Sequence, residues 1–146
     1  MQKVIVVCGP TATGKSDFAV QLAKKIGGEI ISTDSRQVYK GLDIGSGKIT
    51  QREMQGVPHH LLDVASPKRV FSVAQFQKRA TKAIKDILKR GKVPIVCGGT
   101  GFYIDALLYD QQFPAVRPNP VLRKKLMQYS IEDLARMLEK QDPDRY

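Results

Sequence analysis

The sequence predicts an α/β protein built on a parallel β-sheet flanked by helices. Three observations carry that prediction. Short β-branched runs end in glycine, amphipathic helical segments separate them, and a glycine-rich loop, GPTATGKS, follows the first run. Strands that alternate with helices favour parallel pairing through right-handed crossovers.

Taken in order, KVIVVCG reads as a buried parallel strand. KSDFAVQLAKKIGG reads as a helix with Phe18, Leu22 and Ile26 on one face, closed by a glycine pair. EIISTD, residues 29–34, reads as the second strand, and residues 41–60 as a long, partly irregular excursion. HLLDVA is a short strand candidate. FSVAQFQKRATKAIKDILKRGK is the clearest amphipathic helix, with Val73, Phe76, Ala80, Ala83, Ile84 and Ile87 on its apolar face. Lys78, Lys82, Lys85 and Lys89 form a separate basic stripe on it. VPIVCGGT is another buried strand, followed by a helical GFYIDALLY. Beyond a Pro-rich joint come two helix candidates, RPNPVLRKKLMQY and SIEDLARMLEKQ, with Ser130 and Asp133 placed to start the second. The expected division is a core over 1–113 and a helical segment over 114–146.

A chain of 146 residues, 42% hydrophobic and 26% charged, is long enough for one ordinary globular domain. No run approaches the ~18 apolar residues of a membrane span, so no membrane partner is expected. The opening residues read as a strand and not as a signal peptide. Cys8 and Cys97 each end an apolar run, and both are expected to be reduced and buried. The formal charge is +10, and residues 51–100 hold ten Lys and Arg against three Asp and Glu. That balance favours a polyanionic partner, nucleic acid first; a solvated basic surface is the alternative.

GPTATGKS fits G-x-x-x-x-G-K-[ST] without a mismatch, in strand–loop–helix context. Its physics promises a polyphosphate. Gly9, Thr11, Ala12, Thr13 and Gly14 wrap backbone N–H groups around an anion, Lys15 adds a cation, and Ser16 offers a hydroxyl to Mg2+. A nucleotide switch would want a strand ending in Asp, but VPIVC ends in Gly98, Gly99 and Thr100. The acid with the best address is Asp34, at the carboxyl end of the second strand, where it can accept a proton, bind an acceptor or form a turn. Thr100, at the mouth of another strand, can hydrogen-bond a ligand. Asp63 suits a salt bridge. His59 and His60, adjacent in a strand, would face opposite sides and make a poor metal pair.

Together GPTATGKS, GEIISTDSRQVYKGLDIGSGK, GVPHHLLDV, FSVAQF and VPIVCGGTGFYIDALL resemble the successive motifs of bacterial tRNA dimethylallyltransferases, from residue 3 to about 110. The tail NPVLRKKL…DPDRY resembles the start of that family's helical insertion. The resemblance implies a P-loop NTPase-like core and transfer of a dimethylallyl group from dimethylallyl diphosphate. The acceptor would be the exocyclic amine of the adenosine beside the anticodon in tRNA. The loop would then hold the leaving diphosphate, with magnesium, even though it looks like an ATP-binding loop. Asp34 would be the general base or amine acceptor, and Thr100 would hold the reacting groups. Asp34, Ser35, Arg36, Gln37, Thr100 and Arg123 would contact tRNA. The partners implied are the tRNA anticodon stem-loop and dimethylallyl diphosphate, for a cytoplasmic protein expected to be monomeric.

The match stops inside the insertion, so this chain is expected to lack part of the RNA grip and to expose a sheet edge. A small-molecule or nucleotide kinase, an adenylate isopentenyltransferase and a non-catalytic diphosphate-binding remnant are the rival readings.

Overall fold

The computed structural model describes residues 3–113, 116 and 118–145. The described residues form two compact units, the first ending at Gln112 and the second beginning at Phe113. Pro114, Ala115 and Arg117 of the Pro-rich joint lie outside the described residues.

The first unit holds a four-stranded parallel sheet in the order β1-β4-β2-β3, with β1 Ile5–Cys8, β2 Gly28–Ser32, β3 His59–His60 and β4 Val93–Gly98. Helix α1 (Lys15–Ile26) covers one face, where Ala19, Val20 and Ala23 pack on Ile30, Ile95 and Cys97. After the short α2 (Gln51–Met54), helices α3 (Val73–Lys89) and α4 (Gly101–Leu108) enclose the second core: Phe76, Ala80, Ile87 and Tyr103 gather with Ile31 and Leu61. Phe76 and Tyr103 stack with ring centroids 4.2 Å apart. A capping box from Ser72 and Gln75 starts α3, and its apolar stripe is the one the spacing predicts.

Three expectations need correction. The α1 face is carried by its small residues: Phe18 is 60% exposed and Ile26 38% exposed, because the close approach of α1 to the sheet admits Ala19 and Ala23 instead. HLLDVA does not extend as a strand; the β3 ladder ends at His60, Leu61 and Asp63 take positive φ values of 69° and 54° that turn the chain away, and only an isolated bridge from Ala65 to Tyr39 follows. Cys8 is exposed at the end of edge strand β1, beyond the half-buried Ile5, Val6 and Val7, whereas Cys97 is buried; both thiols are free.

The second unit contains α5 (Pro120–Leu126), α6 (Ile131–Gln141) and a 3-10 turn at Pro143–Arg145. Asn119 and Ser130 cap the two helices through their side chains, as the pairing of Ser130 with Asp133 predicts. No helix among the described residues is long and apolar enough to cross a membrane.

Candidate active site

The loops that follow β1, β2 and β4 meet at the carboxyl edge of the sheet, where open α/β sheets bind ligands. They enclose a cavity of about 790 Å3 lined by residues 9–17, Asp34–Gln37, Gly45–Gly47 and Gly98–Thr100. Ile30, Ser32, Ile49, His59 and Cys97 also line it. The sequence-predicted residues of the first unit are thus brought together. Arg123 lies in the second unit, on α5, with an exposed side chain.

Two helix starts border this cavity, and they differ from the others. Helices α2, α3, α5 and α6 each receive a side-chain cap, from Thr50, Ser72, Asn119 and Ser130. Helix α1 begins at Gly14, in left-handed conformation with φ 77°, and makes no side-chain cap bond. Helix α4 begins at Thr100, whose hydroxyl is also not spent on its own helix. N–H groups at a helix start that lack a side-chain acceptor favour an anion. Within the loop, Thr13 Oγ1 donates to the Pro10 carbonyl at 2.9 Å. Lys15 Nζ also donates to that carbonyl, and Thr13 Oγ1 lies 3.4 Å from it. The lysine is therefore held over the loop. Thr11, Ala12 and Ser16 are exposed along the same wall.

Across the cavity, Asp34 Oδ1 accepts from the backbone N–H groups of Arg36 (2.8 Å) and Gln37 (3.2 Å). The residue is a turn former and a candidate base at once, because Oδ2 takes no hydrogen bond among the described residues. Ser35 donates its N–H to Thr100 Oγ1 at 3.1 Å, and the Thr100 N–H reaches the Thr33 carbonyl at 3.3 Å. Those bonds require β2 and β4 to run close together. A Cβ on Gly98 would fall 2.3 Å from Thr33 Oγ1 and 2.8 Å from the Thr33 carbonyl carbon, so glycine alone fits there.

Two further groups on the wall have defined states. Burial pushes the His59 pKa down, so its imidazole is neutral near pH 7 and Nδ1–H donates to the Val57 carbonyl at 2.8 Å. His60 points to the other face, where it meets Glu29 at 2.7 Å, as strand alternation requires. Burial pushes the Cys97 thiol up, with the Lys15 charge opposing; its Sγ donates to the Lys15 carbonyl at 3.7 Å. Asp63 does form a salt bridge, with Lys48 at 2.6 Å.

A family model described as IPP transferase matches residues 37–146, which include the wall at Gly45–Gly47 and Thr100. The chain belongs to the IPP transferase family. The glycine-rich loop at residues 9–16 precedes the matched segment, but relatives cover it too. A tRNA dimethylallyltransferase of Anoxybacillus flavithermus is 53% identical over 142 residues, 97% of this chain and 46% of the relative. The crystal structure of a full-length tRNA isopentenylpyrophosphate transferase from Bacillus halodurans superposes with a TM-score of 0.78 at 44% identity, over 98% of this chain and 48% of that one. A eukaryotic dimethylallyltransferase described as acting on tRNA gives a TM-score of 0.84 at 34% identity, over 99% and 37%. The chain thus has the P-loop NTPase-like fold of its family and spans about half the length of the curated relatives it matches.

The sequence reading held Gly45–Gly47 inside a motif without giving it a site role, and it gave none to Ile49 or His59, which also line the wall. Strand alternation offered one signal for His59, since it lies in register with Ile30, on the same face. No comparable period marks an irregular loop.

Proposed function

We propose that this cavity is the transfer site of a tRNA dimethylallyltransferase, joining a dimethylallyl group to the exocyclic amine of the adenosine beside the anticodon. One observation supports the reading above others: a phosphate loop and a carboxylate face each other across a single cavity, with Asp34 Oδ2 left to accept a proton. The N–H groups of the loop and the start of α1 would receive the diphosphate, and Lys15 would set its positive charge against the outer oxygens. As the allylic carbon–oxygen bond breaks, these donors would stabilise the charge gathering on the diphosphate. The amine nitrogen would form the new bond to that carbon and release its proton to Asp34 Oδ2. Thr100 would hold the Ser35 segment, and with it Asp34, in place against the adenine.

Such an adenine must leave its loop to enter, as in other enzymes that act on a flipped base. Among the described residues no cluster of three or more His, Cys, Asp or Glu side chains could hold a metal. The donor set still fits magnesium, which keeps waters and binds through substrate phosphates with few protein ligands. Ser16 would hold the ion, and the chemistry it supplies is neutralisation of diphosphate charge.

The test is transfer of label from dimethylallyl diphosphate, with magnesium, to an anticodon stem-loop RNA, run beside the Asp34→Asn variant. Label in the RNA that the variant abolishes is expected. Equal transfer by both proteins would overturn the role of Asp34, and transfer to free adenine nucleotides in place of RNA would overturn the acceptor.

A further inference from the structure

The loop at residues 41–48 walls the cavity through Gly45, Ser46 and Gly47, yet it has little hold on the core. Ile44 is 98% exposed and Leu42 44% exposed, and neither joins the two hydrophobic clusters of the first unit. Its own bonds close it on itself. Gly47 N–H donates to Ile44 (3.1 Å), Lys48 N–H to the Asp43 carbonyl (3.0 Å), and Ser46 Oγ to Leu42.

Two side chains tie it to the rest of the first unit. Gln37 Nε2 donates to the Gly47 carbonyl at 3.2 Å. The Lys48 ammonium, its side chain only 6% exposed, donates to Asp43 Oδ1 (2.7 Å), Asp63 Oδ1 (2.6 Å) and the Tyr39 carbonyl (2.9 Å). Three acceptors match the three N–H donors of an ammonium, which is what a buried lysine needs to stay charged. Two of those acceptors lie outside the loop.

We propose that Lys48 is a positioning residue that pins residues 41–47 against the 34–39 segment and so shapes the acceptor side of the cavity, leaving the phosphate loop alone. The proposal rests on the transfer reading above for its functional consequence. Its structural part stands by itself. The charge-assisted bonds run from Lys48 to Tyr39 and Asp63, while Gly47 reaches Gln37, three residues from Asp34. Residues 9–16 make none of these bonds.

Backbone hydrogen exchange of the 146-residue chain and its Lys48→Met variant is the test. Exchange at residues 36–48 should rise by about tenfold or more, while β2, β4 and residues 9–16 keep their rates. The milder Asp63→Asn variant, which keeps the Asp43 and Tyr39 bonds, should show a smaller rise in the same segment. In the transfer assay the KM for RNA should increase by about tenfold with the KM for dimethylallyl diphosphate within about twofold. Unchanged exchange at 36–48 would overturn the proposal, and so would a uniform rise across the sheet, which marks general destabilisation. If neither protein transfers label, the transfer reading fails and the exchange pattern still decides the role of Lys48.

Discussion

Thr100 Oγ1 accepts the backbone N–H of Ser35 at 3.1 Å, and this bond joins two chain segments 65 residues apart at the mouth of the cavity. It also accounts for the missing side-chain cap of α4, since the hydroxyl that would cap the helix is committed across the sheet. Replacing Thr100 by Val should leave the Ser35 N–H without this acceptor and cost about 1 kcal/mol of stability. Urea unfolding measures that loss. A larger fractional fall in transfer than in stability is expected, because the Asp34 turn moves with Ser35.

Asp34→Asn and Asp34→Ala should separate two roles of one residue. Asparagine keeps an Oδ1 that can accept from Arg36 and Gln37 but cannot take a proton, so the fold holds and transfer falls roughly a hundred- to ten-thousandfold. Alanine loses the turn as well and should lower the unfolding midpoint. Comparing kcat with the unfolding midpoint for the two variants checks both statements.

Gly98→Ala places a methyl group against the backbone and hydroxyl of Thr33. The neighbour is largely backbone, so β2 and β4 must separate, and a loss of about 1–3 kcal/mol or more is expected. A thermal or denaturant midpoint measures it. An unchanged midpoint would mean that the two strands yield more easily than their pairing implies.

Acid sensitivity is expected from Glu29, which is buried and accepts from His60 (2.7 Å) and Arg90 (2.6 Å). Burial pushes its pKa up, but the bonds and charges of His60 and Arg90 outweigh that and leave it below the ordinary value of 4.5. A carboxylate with a lowered folded pKa binds its proton first in the unfolded chain. Its contribution is therefore full above about pH 4.5 and is lost as pH falls through the lowered value. In urea unfolding, the gap between the native chain and Glu29→Gln should shrink as pH falls below 4.5.

How much of this was legible in the sequence depended on range. The strand and loop at residues 3–16, the stripe of α3 and the strand VPIVCG are local patterns, and each folds as its period says. Phe18 misled because periodicity marks an apolar face without saying how close the helix comes to the sheet; Ala19 and Ala23 take the contact. The end of β3 was hidden because Leu61 and Asp63 adopt positive φ without the glycine that would announce it. In the site, Lys15 and Asp34 were readable from motif and strand-end position. The Lys48–Asp43–Asp63 cluster was not, since its members come together only when an irregular loop folds back.

The measurement that bears most directly on the site is calorimetric binding of dimethylallyl diphosphate with magnesium to the 146-residue chain, run against ATP and against the Lys15→Met variant. The expected result is saturable binding of the isoprenoid diphosphate, tighter than ATP and weakened about tenfold or more by Lys15→Met. Tight ATP binding without binding of the isoprenoid diphosphate would contradict the account, and would make this cavity a nucleotide site.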